Sequence, residues 1–309
     1  MVNGVSSSNV STKKYESKKR NVIANAIGIT AGLALPAYQI YDTFQKVTPN
    51  AAQDISKSMY SFIPDCIDLD KAKDAAQKIM KDTALKDKGV ELLFINENKP
   101  ETINKLKEIM DAAIPPTKKA GKRLNNNFFN IFKEGANAAY IEGGNKKAVL
   151  VSDKQFYSNV FHEIGHAMDA NKGFLTRTLV KARGITPYGV SLVAPIALGV
   201  ALMHKVDDKK PKEEKGFVEK SLDFISKHAV GLTALSYLPM TMEEGLASIR
   251  GLKQAKKYLP KEDVTKLAVN YAKAWSTYGI LAAGSVLGVA AGIGIAKHIK
   301  AKNNNSQNA

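Results

Sequence analysis

Residues 161–169 read Phe-His-Glu-Ile-Gly-His-Ala-Met-Asp, a run that contains His162, Glu163 and His166 in the spacing His-Glu-x-x-His. At 3.6 residues per helical turn, His162 and His166 stand one turn apart on one face, where two imidazoles can grip a single Zn²⁺. Glu163 is then next to the metal without binding it. It can take a proton from a water that the metal makes acidic and pass it to a leaving amine, which is the chemistry of amide hydrolysis. The bland alternative is an ordinary helix with two solvent-facing histidines. Apolar Phe161 and Ile164, with Gly165, argue against solvent exposure of that pair.

Two histidines leave a zinc site one protein ligand short. The single Cys66 excludes a multi-cysteine metal site and an intramolecular disulfide framework. His204, His228 and His298 all lie in or beside apolar stretches, so a carboxylate is the better candidate. The run Thr241-Met242-Glu243-Glu244-Gly245-Leu246-Ala247-Ser248 predicts the start of a helix that continues through Leu252 and Ala255. Glu244 is the candidate third ligand and Glu243 the reserve. The competing reading makes Glu244 a capping-box glutamate, because it follows Thr241 by three residues.

The elements that must position these groups are also legible. Ala138 to Ile141 and Ala148 to Val151 are short strand-like runs separated by Glu142-Gly143-Gly144-Asn145, a hairpin signal. Ser152 precedes Gln155 by three, which predicts that the histidine helix starts at about Asp153, and Asn171, Lys172 and Gly173 end it. Upstream, Ala51 to Lys81 reads as helical and Gly89 to Asn96 as a strand. Pro100 opens a helix that ends before Pro115, and Lys118 to Phe132 reads as a basic amphipathic helix packed on the surface.

The chain has 309 residues with 45 Lys+Arg against 29 Asp+Glu, a net charge of +16, and 44% hydrophobic residues. That excludes a disordered or collagen-like chain. The lysines are scattered rather than interleaved with aromatics, so nucleic acid is not an expected partner. Three stretches lack charge over roughly the 20 residues that a spanning helix needs, namely Asn21 to Tyr41, Gly184 to Met203 and Ala274 to Ala296. The last has Tyr271, Trp275 and Tyr278 at one end, Lys297 and Lys300 at the other, and Gly284, Gly288 and Gly292 spaced by four. Such ends suit the two membrane interfaces, and such glycines suit close helix packing in lipid. The alternative is a buried Gly/Ala-rich helix of a soluble core. A shorter run, Ala229 to Met242, reads as re-entrant, tilted or buried.

His162-Glu163-x-x-His166 followed by Glu244-Gly245-Leu246-Ala247-Ser248 resembles the gluzincin metallopeptidases, whose third zinc ligand is a glutamate on a later helix, as in thermolysin and the aminopeptidase N group. The order of hairpin, histidine helix, intervening apolar segments and glutamate helix is similar to the membrane-embedded branch with HtpX and the CAAX prenyl proteases. The resemblance covers roughly Lys73 to Leu259. It implies that Ala138 to Ile141 is an edge strand binding an extended substrate through its backbone. Ser248 departs from that branch, which usually has an aspartate there supporting a zinc histidine; Asp169 is the alternative support. Tyr258 and Tyr271 are the candidates for stabilising an oxyanion.

The expectation is an α+β, mostly helical zincin-like domain with a small sheet and transmembrane helices. It divides into a basic flank 1–20, an anchor 21–41, a zincin-like domain 42–183, an apolar hairpin with a charged linker 184–242, a glutamate-ligand region 243–273, a transmembrane helix 274–296 and a polar tail 297–309. The expected activity is that of a multi-pass membrane zinc metalloendopeptidase, with His162, His166 and Glu244 on Zn²⁺, Glu163 as general base, and protein or peptide substrates. Both termini are expected on the face opposite the metal. A zincin effector delivered to another membrane, and an inactive membrane scaffold, are the alternatives.

Overall fold

A three-stranded sheet lies between the two cores of the domain. Strand β1, Val90–Ile95, runs parallel to β3, Lys146–Ser152, and β2, Ala138–Gly143, pairs antiparallel with β3, giving the order β1-β3-β2. In β3, alternate side chains serve opposite faces: Ala148 and Leu150 join one core, Val149 and Val151 the other. The β2–β3 hairpin turns at Gly144 and Asn145. Gly144 takes φ +56, and a Cβ there would overlap the Ala112 carbonyl, so glycine is required twice over.

Helices cover both faces of the sheet. On one lie α2, Pro100–Ala113, and α3, Lys119–Lys133; Leu106, Ile109, Met110 and Phe132 are buried there against Ile95, Ala148 and Leu150. On the other lie α1, Leu69–Asp82, and the histidine helix α4, Val160–Ala170. The α1 helix starts where Asp68 Oδ1 accepts from the Asp70 and Lys71 N–H groups, and it buries Ala72, Ala75, Ala76, Ile79 and Met80 along one stripe. Two long helices complete the fold: α5, Phe217–Ala255, and α6, Lys261–Gln307, joined by a tight turn at residues 256–260. Their near ends close the core around α4 through Ala255, Leu259, Leu267 and Tyr271. Their far ends leave the sheet and pack on each other and on the helical residues 196–201, around Ala197, Ala229 and Val289.

The computed structural model describes residues 64–115, 119–133, 137–174, 176–179, 193, 196–201, 203–204, 206–207 and 209–307. These all fall in the unit Pro49–Ala309; the other unit, Met1–Thr48, lies outside the described residues, and with it the stretch Asn21 to Tyr41. Most of Gly184 to Met203 lies outside them too. The chain is thus mostly helical with one small sheet. Among the described residues one helix is long and apolar enough to cross a membrane, over Lys261–Ile295, which contains the stretch Ala274 to Ala296. Only 6% of its apolar window is buried, so among the described residues that stretch is not covered as a core helix would be.

Three expected helix starts move. The first described helix begins at Leu69, after a non-helical segment at 64–68, and residues 51–63 lie outside the described residues. The histidine helix begins at Val160 and not at Asp153. Ser152 ends β3, its Oγ accepts from the Lys154 N–H, and the chain then turns through Phe156 at φ +65 and a short 3₁₀ turn at Tyr157–Asn159. Thr241 is likewise no helix start. It lies 24 residues into α5, which continues through Pro239. The helix tolerates that proline because α6 holds it on both sides: Tyr237 Oη meets Ser285 Oγ at 2.6 Å, and Trp275 Nε1 donates to the Thr241 carbonyl at 2.8 Å. The boundaries at 242/243 and 273/274 therefore fall inside continuous helices.

Candidate metal centre

The centre is built where α4 crosses α5 at very short range. A Cβ on Gly165 would overlap the Ala247 carbonyl, and one on Gly251 would overlap the Phe161 carbonyl. Ala247, Gly251 and Ala255 are all buried, so α5 presents a ridge of small residues every four positions. That ridge lets the two backbones approach closely enough for short side chains to meet. On α4 every residue from Val160 to Ala170 is buried except His162, whose side chain is 16% exposed. His162 thus marks the open side of the centre, and His166 the closed side.

At the crossing His162, His166 and Glu244 converge, with one ligand atom from each close enough to share a metal ion. His162 Nε2 lies 2.9 Å from His166 Nε2 and 3.1 Å from Glu244 Oε2, and His166 Nε2 lies 3.6 Å from the same oxygen. The capping role for Glu244 is excluded, because it sits deep inside α5 and far from any helix start. Glu243 turns to the other nitrogen: its Oε1 is 2.5 Å from His166 Nδ1, both side chains being 1% exposed. Ser248 Oγ lies 2.9 Å from His162 Nδ1. With each Nδ1–H donating outward, both Nε2 lone pairs face the shared point. Glu243 therefore meets His166 at Nδ1 and stands outside the group of three whose ligand atoms converge. Ser248 meets Nδ1 of His162 from its own position, while Asp169 forms an ion pair with Arg250 and ties α4 to α5 instead.

Glu163 is buried, and its Oε2 accepts the Tyr140 N–H at 2.7 Å. Tyr140 is in β2, whose other side pairs with β3, so this N–H belongs to the outer edge of the sheet. The carboxylate of the histidine helix and the free edge of β2 therefore adjoin. The Tyr140 phenol is pushed well above its usual range by burial and by the Glu142 carboxylate that accepts its hydrogen bond at 3.0 Å.

Neither tyrosine expected at an oxyanion is available for it. Tyr258 Oη donates to Asp82. Tyr271 Oη donates to the Ser158 carbonyl at 2.7 Å and accepts the His162 N–H at 3.2 Å, holding the first turn of α4. Its ring also meets the His162 imidazole edge to face, with centroids 5.6 Å apart. A second clamp comes from Asp65, whose carboxylate accepts the Phe156 and Ser158 N–H groups at 2.7 Å each; burial raises its pKa above the ordinary value. Sequence reading missed Asp65 and the structural role of Tyr271, and nothing local marks either. Glu243 stood in view as a reserve ligand, and only the crossing geometry assigns it to Nδ1.

No family model, curated protein or solved structure matches this chain.

Proposed function

We propose that the protein is a membrane-associated, zinc-dependent metalloendopeptidase of gluzincin type. The observation that carries the reading is the convergence of two imidazole nitrogens and one carboxylate oxygen at mutual distances of 2.9, 3.1 and 3.6 Å. A tetrahedral zinc with bonds of about 2.0–2.1 Å sets its ligands about 3.3 Å apart, in the middle of that range. Two histidines and a glutamate are a catalytic ligand set, since structural zinc sites close the fourth position with a fourth protein ligand. Zinc, when bound, supplies a Lewis acid that polarises a carbonyl and acidifies water near neutral pH.

The chain's own residues supply the rest. His162 and His166 are oriented by Ser248 and Glu243, so that Nε2 of each faces the metal position. Glu163 acts as general base, and the Tyr140 N–H fixes its carboxylate by a charge-assisted hydrogen bond. The outer edge of β2 beside Glu163 suits an extended peptide added as a further strand. The intact Glu163 favours an enzyme over an inactive scaffold. The apolar, exposed helix over Lys261–Ile295 supports membrane association, and the uncharged stretches Asn21 to Tyr41 and Gly184 to Met203 support a multi-pass chain.

The test is hydrolysis of an unfolded protein such as casein by the full chain in detergent. Activity is expected to be lost on chelation, restored by stoichiometric Zn²⁺, and reduced by about 10²-fold or more in Glu163→Gln. Equal cleavage by parent and Glu163→Gln would remove the general base from the account.

A further inference from the structure

The far halves of α5 and α6 carry two polar layers separated by an apolar one. At one end Asp223 Oδ1 lies 2.5 Å from His204 Nε2, and its Oδ2 lies 2.6 Å from Lys215 Nζ, which also donates to the Asp207 carbonyl at 2.6 Å. At the other end the Trp275 indole binds the Thr241 carbonyl, and Glu243 and Glu244 follow immediately. From Asp223 to Glu243 along α5 is 20 residues, about 30 Å at 1.5 Å per residue. Between them the only Asp, Glu, Lys or Arg is Lys227, one turn from Asp223, where its chain can extend toward the same polar layer. On α6 no such residue occurs between Lys273 and Lys297, a distance of about 36 Å.

The apolar layer faces outward. Phe224, Leu235, Leu238 and Met242 are exposed on α5, and Ile280, Leu287 and Ile295 on α6. The inward contacts combine an aliphatic cluster of Ala197, Ala229 and Val289 with Leu198, Ile225 and Ile293, and the polar pair Tyr237 with Ser285. Around α6 the exposed positions between 280 and 295 are 280, 283, 284, 287, 288, 290, 291, 294 and 295, one continuous face of about 160° at 100° per residue. The thickness of the layer is that of a bilayer hydrocarbon core, about 30 Å. Lys220 at one rim, with Lys273 and exposed Trp275 at the other, suits anionic headgroups and an interfacial indole.

The geometry points to a lipid bilayer as the occupant of this surface, with α5 crossing it beside α6. The α5 half-helix is a span although its composition alone does not mark it as one. It follows that residues 204–223 lie on the face opposite the sheet, and that the metal centre, beginning one residue after Met242, stands at the surface of its own face. This rests on the proposed membrane association and is independent of the metal.

The experiment uses the full chain in sealed proteoliposomes, with Cys66→Ser as background and single cysteines at Asn145, Lys209, Leu235 or Leu287, read by a membrane-impermeant maleimide. Asn145→Cys and Lys209→Cys are expected to be labelled from opposite sides, and Leu235→Cys and Leu287→Cys only after detergent. Labelling of Asn145→Cys and Lys209→Cys from one side, with the chain still in the vesicles, overturns the crossing of α5 and leaves membrane association standing. Release of the chain from vesicles by alkaline wash overturns both. Protection of Leu235→Cys and Leu287→Cys in a detergent-free soluble dimer assigns the surface to a second copy and overturns the proposal.

Discussion

At the crossing of α4 and α5, two adjacent glutamates meet two histidines from different sides. Neighbours on a helix point about 100° apart, so only one of Glu243 and Glu244 can reach the Nε2 atoms, and the other lies where Nδ1 of His166 needs an acceptor. His162 receives a neutral hydroxyl from Ser248, while His166 receives a carboxylate, so the buried imidazole is the more strongly oriented of the two. Glu243→Ala is expected to weaken metal binding by about 10- to 100-fold, and Glu243→Gln by clearly less, because an amide oxygen still accepts the Nδ1–H. Competition with a chromophoric chelator reads both. Equal affinities for parent and Glu243→Ala would show that the contact positions nothing. The grouping of His162, His166 and Glu244 was legible because His-Glu-x-x-His is a local pattern and because few carboxylates remained for the third place. The clamps were not. Asp65 stands 91 residues before Phe156 and Tyr271 stands 109 after His162, so no spacing rule links them to the helix they hold.

The elements depend on glycine where backbones touch. Gly165 occupies one of the two free positions of the histidine motif, inside a helix, where glycine has a low intrinsic propensity. The structure gives the reason: any side chain there would strike the Ala247 carbonyl, and Gly251 bears the same relation to Phe161. Gly251→Val is expected to cost at least about 1–3 kcal/mol by overpacking and to lower metal occupancy with it, since moving α5 away carries Glu244 out of reach. Gly279→Ala is the control, because a Cβ there meets nothing within 4 Å. Thermal unfolding with parallel metal analysis checks the pair, and equal loss in both variants would contradict the close crossing. Strands, hairpin and the helices from Pro100 and Lys119 were legible from alternation, turn residues and proline placement. Both Ser/Thr-x-x-Gln/Glu starts misled for one reason. The pattern offers a cap, but Ser152 is held in the central strand and Thr241 inside a helix fixed by Tyr237, Trp275 and Ser285.

Across the whole molecule, a sheet-based domain and an apolar helical extension share two continuous helices. The candidate metal centre lies where those helices leave the domain, so Glu244 and the exposed Leu238 and Met242 belong to one stretch of α5. The apolar stretch from Ala274 was plain in the sequence because nothing charged interrupts it. The facing half of α5 was legible only as the short run Ala229 to Met242, read as re-entrant, tilted or buried, since Lys227 and His228 interrupt it. The full chain is expected to remain in membranes through an alkaline carbonate wash, and its recovery in the soluble fraction would contradict the membrane reading. The most direct measurement is metal analysis of the purified full chain beside Glu244→Ala, with circular dichroism of both. One zinc per parent chain, and near none in Glu244→Ala at unchanged helicity, is the expected result. A parent without bound zinc after zinc loading, or a Glu244→Ala variant that keeps it, would contradict the metal centre on which the proposed peptidase rests.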